Sequence, residues 1–413
     1  MAAPLVQRAD GAQTRRYIAP DVARGVALLG IALANVPTAW AVAQGAGYAD
    51  HFGGVHGQGS RLENLAVMFH AMFVHVRGLP MFTTLLGFGV GLLTLSLWRR
   101  GFPVRQARHV LWRRYLALAL VGLAHLVLLF FGDIILQYSV TALILIAMVQ
   151  LRDRALMVIA WVLVGLSVAY FTALAALVAF FPEAMAFDAG VAGPAVAGSY
   201  AEYVAANAAF LGVTLSTMPV TAMSLLPLMI IGFVWARRGV LTDVAAHGAL
   251  LRAWVAVAGA VILLVGLPWG LAAVGVLPGE WEQPLNLFNN GVGMLTGPGI
   301  LALIALLFRG AAEDVTPATR AFVALGRRSM SGYILQSALL VLLTRPFALG
   351  WGPDAGVLGQ MGIAAAVWLA TLAWALVWDR FGWPGPVEWA HRRLAYGRAG
   401  LPSVYRPASV GLS

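Results

Sequence analysis

The sequence contains no cysteine and no lysine. Without thiols, there are no disulfides, thiolate metal sites, iron–sulfur clusters or cysteine nucleophiles. Without lysine there is no Schiff-base chemistry, and all 27 basic side chains are arginine. Charge of either sign is scarce: 11% of the 413 residues are charged against 61% hydrophobic, and the mean hydropathy is +0.82. Such a composition lies outside that of soluble globular domains and makes the bilayer the solvent. The net charge of +10 would suggest nucleic acid in a soluble chain. Here membrane topology accounts for the arginines better, and no nucleic-acid partner is expected. Met1 to Arg16 lacks the apolar core and cleavage site of a signal peptide. No soluble domain and no solenoid-type repeat is found.

What is present is a series of apolar runs. A span needs roughly 20 mostly apolar residues. Runs near 22–43, 80–98, 110–131, 133–151, 155–181, 219–236, 252–276, 289–308, 330–345 and 357–379 predict an all-α, polytopic bundle of about ten spans, one integral membrane domain over 1–413. Arginine placement tests the count, because short cytoplasmic loops gather basic residues. With both termini inside, 24 of the 27 arginines fall on the cytoplasmic side, and only Arg61, Arg77 and Arg345 fall outside. The reading gives a cytoplasmic segment 1–20, a basic cytoplasmic tail 380–413, and two long outer loops, 45–79 and 182–218. In the first, Leu62–Val76 is apolar but too short to span, which predicts an interfacial or re-entrant helix. In the second, Tyr200–Leu215 predicts a short helix.

Ionisable groups at membrane depth are costly, so each needs an explanation. Asp21 and Arg24 lie three apart on one face of the first span; an ion pair at a helix start and a ligand site are both open readings. Asn35 fits interhelical hydrogen bonding better than catalysis. His125 sits in an apolar run about two turns before Asp133. An isolated helix histidine is more often a packing residue than a base, but the two together could line a polar cavity. His51, His56, His70 and His75 form the one histidine cluster. His70 and His75 are about 140° apart on a helix, there is no HExxH spacing, and no metal is expected. Gly87, Gly89 and Gly91 allow close helix packing or backbone approach to a ligand.

Several stretches resemble the YeiB-like group of bacterial inner-membrane proteins: Asp21-Val-Ala-Arg24-Gly25 running to Asn35, Arg77 to Gly91, Gly122 to Tyr138, Gly326 to Ser337, and Gly385 to Gly397. The residues shared with that pattern are Asp21, Arg24, Asn35, His125, Asp133, Tyr333, Gln336, Glu388 and Arg392. The group is in turn distantly similar to transmembrane acyltransferases such as heparan-α-glucosaminide N-acetyltransferase. That resemblance implies a cytoplasmic acyl-CoA donor, an acceptor on the far side, and a catalytic histidine in the loop after the first span, where His51 and His56 stand.

Two functions are therefore expected to compete. In an acyltransferase of the bacterial inner membrane, Arg24, Arg113, Arg114, Arg327 and Arg328 would bind the phosphates of a CoA-type donor. His125, His51 or His56 would act as base, with Asp133 orienting a histidine. Acyl-CoA would be a co-substrate, with no tightly bound cofactor, and the partners would be the bilayer and an envelope glycan or lipid. In a transporter or flippase, the same polar residues would line a path, although no inverted repeat is evident. A structural envelope partner is a third reading, favoured if no cavity exists.

Overall fold

The computed structural model describes residues 18–41, 60–182, 192–309, 316–353 and 355–405. His51 and His56 lie outside the described residues. In lipid every backbone donor and acceptor must be satisfied within the chain, and long apolar runs answer that by forming helices. In order these are α1 (Ala19–Asn35) with a π-helical end, Val36–Trp40; α2 (Arg61–Phe69) with a π-helical end, His70–Val74; α3 (Gly78–Arg99); α4 (Val104–Leu128); α5 (Ile135–Ala147); α6 (Asp153–Phe180); α7 (Ala192–Val196); and α8 (Tyr200–Arg238). Then come α9 (Gly248–Val261), continuing through a π-helical turn into α10 (Leu267–Ala273), α11 (Glu282–Val292), α12 (Thr296–Leu307), α13 (Pro317–Arg327), α14 (Ser329–Thr344), α15 (Val357–Arg380) and α16 (Pro386–Tyr396). No strand occurs among the described residues.

All ten expected span positions are helical. Among the described residues, eight stretches are long and apolar enough to cross a membrane, and α5 and α14 are shorter apolar helices of 13 and 16 residues. At 1.5 Å per residue those two run only about 20 and 24 Å, against a hydrocarbon core of about 30 Å. Both are thus shorter than the core is thick; Asp133 of the candidate site stands just before α5, and Ser337 lies in the middle of α14. Along α6, Val158, Trp161, Val162 and Leu166 are exposed, an apolar face suited to lipid and unsuited to water.

Two segments differ from expectation. The short helix expected at Tyr200–Leu215 and the span at 219–236 form one helix of 39 residues. Pro219 and Pro227 each delete one backbone donor inside it without ending it, as neighbouring helices allow in lipid. Leu62–Val76 is helical as expected, starting from a capping box between Ser60 and Glu63, but His70, Ala71 and Val74 are buried. The chain then turns at Val76, whose φ of +53° is unusual for a β-branched residue. Helices α3 and α8 cross in close contact. A Cβ on Gly87 would lie 2.0 Å from the Met229 carbonyl oxygen, and one on Gly232 would lie 1.9 Å from that of Thr84. Only glycine permits that approach. Gly89 instead faces open space.

Candidate functional site

Between α1, α3, α4, α5, α13, α14 and α16 lies a cavity of about 480 Å³. Its mouth carries Arg24, Arg114, Arg327, Glu388, His391 and Arg392. Its walls are apolar, with Leu28 and Ile31 from α1, Leu85, Leu86, Gly89 and Leu93 from α3, and Leu118 from α4. It ends at Phe82, Ile134, Tyr138 and Tyr333. From Leu93 to Phe82 it follows three turns of α3, about 16 Å. A wider depression of about 690 Å³ lies elsewhere on the surface among Arg105, Arg108, His109, Trp112 and Gln150, with no acid–base pair in it.

The mouth is basic but not uniformly free. Arg24 donates to Asp21 at 2.9 Å, and Asp21 also approaches Arg327 at 3.8 Å. Arg114 donates to the Tyr396 hydroxyl at 3.0 Å. Arg327 also lies 3.8 Å from Asp379, so the four guanidinium groups share the rim with three carboxylates, Asp21, Asp379 and Glu388. His391 is buried, and its Nε2–H donates to the Arg114 carbonyl at 2.9 Å, leaving Nδ1 without a partner. Burial lowers its pKa from 6.5 to about 4, so the ring is neutral at physiological pH.

Glu388 has a structural task. Its carboxylate accepts the backbone N–H groups of Met330 and Ser331 and the Ser331 hydroxyl. It therefore caps the first turn of α14 from a separate helix, meeting the orphan donors and the positive end of the dipole. Arg328, expected at the mouth, instead donates to Asp379 and to the carbonyls of Ala324 and Trp383, tying α14 to the end of α15. Arg113 is exposed and does not line the cavity. It lies one position, or 100°, away from Arg114 on α4.

Beyond the closed end stands a buried polar trio. His125 Nδ1 is 2.7 Å from Asp133 Oδ1, and His125 Nε2 is 2.8 Å from Ser337 Oγ. Asp133 Oδ2 accepts the Leu136 N–H at 2.7 Å, which fixes the carboxylate at the start of α5. His125, Asp133 and Ser337 are 2%, 0% and 3% exposed. With Asp133 ionised, Nδ1–H donates to it and Nε2 is left to accept the serine proton. Tyr333 joins trio to cavity: it lines the cavity end, and its ring centroid is 4.9 Å from that of His125.

Toward the opposite ends of α1 and α4 the trio is closed by aromatic rings. His125 meets Phe130 edge-on, Phe130 stacks on Trp40 at 4.6 Å, and Phe131 packs on both Phe130 and Phe210.

Of the residues singled out in the sequence, the structure brings His125 together with Asp133, and Arg24, Arg114, Tyr333, Glu388 and Arg392 to one cavity. Gln336 lies beside the trio but is turned toward Thr371 of α15, a helix contact at 3.5 Å. Asn35 is half-buried at the junction of α1 with its π-helical end, outside the cavity lining, and makes no side-chain hydrogen bond among the described residues. His70 and His75 lie 6.2 Å apart by ring centroid, and no metal-binding group of three ligands occurs among the described residues. The sequence reading passed over Ser337. It lies 212 positions from His125, and no spacing rule connects them.

Residues 235–398 match a family described as "Protein of unknown function (DUF418)". Over 80 residues, the chain is 32% identical to the "Uncharacterized protein YeiB" of Escherichia coli (strain K12). Over that stretch the chain is similar to YeiB. That alignment covers 19% of this chain and 20% of the relative's length. No solved structure matches. The family match contains Tyr333, Ser337, Glu388 and Arg392, whereas Arg24, His125 and Asp133 precede it. Neither match carries the name of an acyltransferase.

Proposed function

We propose that this protein is a membrane acyltransferase. It takes an acyl group from an anionic, CoA-type donor held in the cavity and passes it to a glycan or lipid of the cell envelope. The observation that carries this reading is one cavity with arginines at its mouth, apolar walls, and an acid–base pair just past its closed end. Arg24, Arg114, Arg327 and Arg392 would bind phosphate oxygens, for which the planar guanidinium is suited. The leucine-lined wall would hold the acyl chain. His125 would move the proton, and Asp133 would hold the imidazole in the required tautomer and stabilise the imidazolium. The arginine-rich end would face the cytoplasm of a bacterium, in keeping with the positive-inside rule, and place the protein in the inner membrane.

A second reading is also supported by a specific observation. A cavity open at one end and shut by rings at the other resembles one state of alternating access, as a transporter or flippase would show. A purely structural envelope partner would have no need of such a cavity.

Thermal unfolding of the full chain in detergent, with acetyl-CoA or palmitoyl-CoA, separates the two main readings. A ligand at about 100 times its dissociation constant stabilises the folded state by about 2.7 kcal/mol. The expected result is a raised midpoint that Arg24→Ala or Arg392→Ala removes and His125→Ala retains. No shift at millimolar donor, with every variant folded, would overturn the CoA-type donor and leave transport as the leading reading.

A further inference from the structure

Mid-helix hydroxyls in this protein follow a common pattern. Thr83, Thr84, Thr94, Ser139 and Thr344 each donate to the carbonyl four residues earlier at 2.6 to 2.9 Å. That is the ordinary way for a hydroxyl to be satisfied in an apolar helix. Ser337 departs from it. Its contact with the Tyr333 carbonyl is stretched to 3.3 Å, and its short contact is with His125 Nε2 at 2.8 Å. Ser224 is similarly long to its own carbonyl, at 3.2 Å, because it is drawn to Ser167 at 2.9 Å; its partner there is another hydroxyl, which is no base. Ser337 alone in this set is aligned on an imidazole, and that imidazole is held on its other side by a carboxylate.

The neutral imidazole has one lone pair for accepting a proton. In the tautomer whose Nδ1–H is donated to Asp133, that pair is on Nε2 and is directed at Ser337 Oγ, so the hydroxyl that His125 can deprotonate directly is that of Ser337. We infer that Ser337 is a covalent nucleophile, activated by His125 and Asp133, that carries the transferred group as an ester between donor and acceptor. The identity of the donor rests on the acyl-transfer reading above; the nucleophilicity of Ser337 does not. The three residues come from the end of α4, the turn before α5, and the middle of α14. Nucleophile, base and orienting acid within hydrogen-bond reach are recognised by such geometry rather than by sequence order.

The reaction balances without any oxidant or metal. His125 Nε2 takes the Ser337 proton as Oγ attacks the thioester carbonyl. The C–S bond breaks, and the imidazolium gives that proton to the departing sulfur, leaving an acyl ester on Ser337. In the second half, His125 takes a proton from the acceptor's hydroxyl or amine, which attacks the ester carbonyl. The C–O bond to Ser337 breaks, and the proton returns to Oγ. Tyr333 and Ser337 stand one turn apart on α14, a rise of about 6 Å. Tyr333 closes the cavity end, so its ring must swing aside to admit the acyl carbon. Ser337 is then the point where an acyl group can wait, within the membrane, between the cavity and the side shut by Phe130 and Trp40.

The test uses an alkyl fluorophosphonate, which reacts with activated serine hydroxyls whatever the natural donor. Purified full-length protein in detergent is treated with the probe, and intact and peptide masses are read. The expected result is one phosphonyl group, on Ser337, absent in Ser337→Ala. Its rate should fall by about 100-fold or more in His125→Ala. Labelling should slow in Asp133→Asn and recover in part in Asp133→Glu, a rescue that a packing role alone would not give. Tyr333→Ala should label faster than wild type. If neither wild type nor Tyr333→Ala is labelled at Ser337 while both unfold cooperatively, the inference is overturned. Incubation with palmitoyl-CoA is read in parallel. Labelling by the probe without any acyl adduct would keep Ser337 as nucleophile and remove the CoA-type donor, so the two claims fail separately.

Discussion

Arginine does two different jobs in two regions of this protein. Around the cavity mouth, Arg24, Arg114, Arg327 and Arg392 are exposed or half-buried and keep donors to spare beside Asp21, Glu388 and the Tyr396 hydroxyl. Arg77 and Arg345 are 2% and 1% exposed, and neither has a carboxylate partner among the described residues. Backbone takes up their donors. Arg77 donates to the carbonyls of Met72 and Val76 and to Asn289 Oδ1; Arg345 donates to the carbonyls of Ala39, Trp40 and Pro194 and lies against the rings of Trp40 and Tyr203. Each sits where a π-helical segment ends, at Val74 and at Trp40. Those ends leave carbonyls unpaired and negative, and a cation there satisfies them. The lesson is that what a buried charge touches, rather than its burial alone, separates a residue that closes the fold from one that awaits a ligand.

The largest expected effect comes from breaking the second set. Arg345→Met strands at least three carbonyls at roughly 1 to 3 kcal/mol each, so a loss of about 3 kcal/mol or more is expected. Arg392→Gln at the exposed rim should change stability by under about 0.5 kcal/mol. Midpoints of thermal unfolding for the two variants make the comparison. A stable Arg345→Met protein would show that the carbonyls find other donors and that the distinction drawn between the two sets is wrong.

The same contrast shows what was legible in the sequence. All ten apolar runs fell on helices because lipid leaves a long apolar segment no other economical backbone arrangement. They did not show that α5 and α14 are cut short, or that Tyr200 to Arg238 is one helix, since hydropathy marks where a segment is apolar and not where its helix begins. Arg77 and Arg345 counted as two of three outer arginines; nothing in the sequence shows which carbonyls a guanidinium will meet after folding. His125 and Asp133 were legible because eight residues and one turn separate them. Ser337 was not, because its partner is on a helix 212 positions away and a serine in an apolar helix is usually satisfied by its own backbone. Glu388 was singled out only through the family resemblance, and its role as a cap for α14 depends on how α16 docks.

A middle-sized effect should separate capping from ligand binding at the rim. Glu388→Ala removes an acceptor from two backbone N–H groups and a hydroxyl, and should lower stability by about 1 to 2 kcal/mol. Glu388→Gln keeps one acceptor and should cost less. Because the carboxylate is directed at α14, the donor-induced midpoint shift should survive in Glu388→Gln. A normal midpoint with the shift abolished would place Glu388 with the ligand-facing arginines instead.

The smallest effect concerns His391, a neutral ring among those arginines. Its folded-state pKa, about 4, lies below its ordinary 6.5 because burial disfavours the charged ring. Between those values the unfolded chain binds more protons than the folded one, so acid favours unfolding. The neutral ring's contribution is complete above about pH 6.5 and is lost progressively as pH falls toward 4. From pH 7.5 to 6 the expected loss is roughly 0.8 kcal/mol. His391→Gln, which keeps an N–H for the Arg114 carbonyl, should flatten that part of the stability–pH curve relative to wild type. If the two curves stay parallel, His391 gains a proton in the folded state as easily as in the unfolded one. The rim would then become more positive in mild acid and bind an anionic donor more tightly, so donor affinity measured at pH 6 and 7.5 would reveal which kind of residue His391 is.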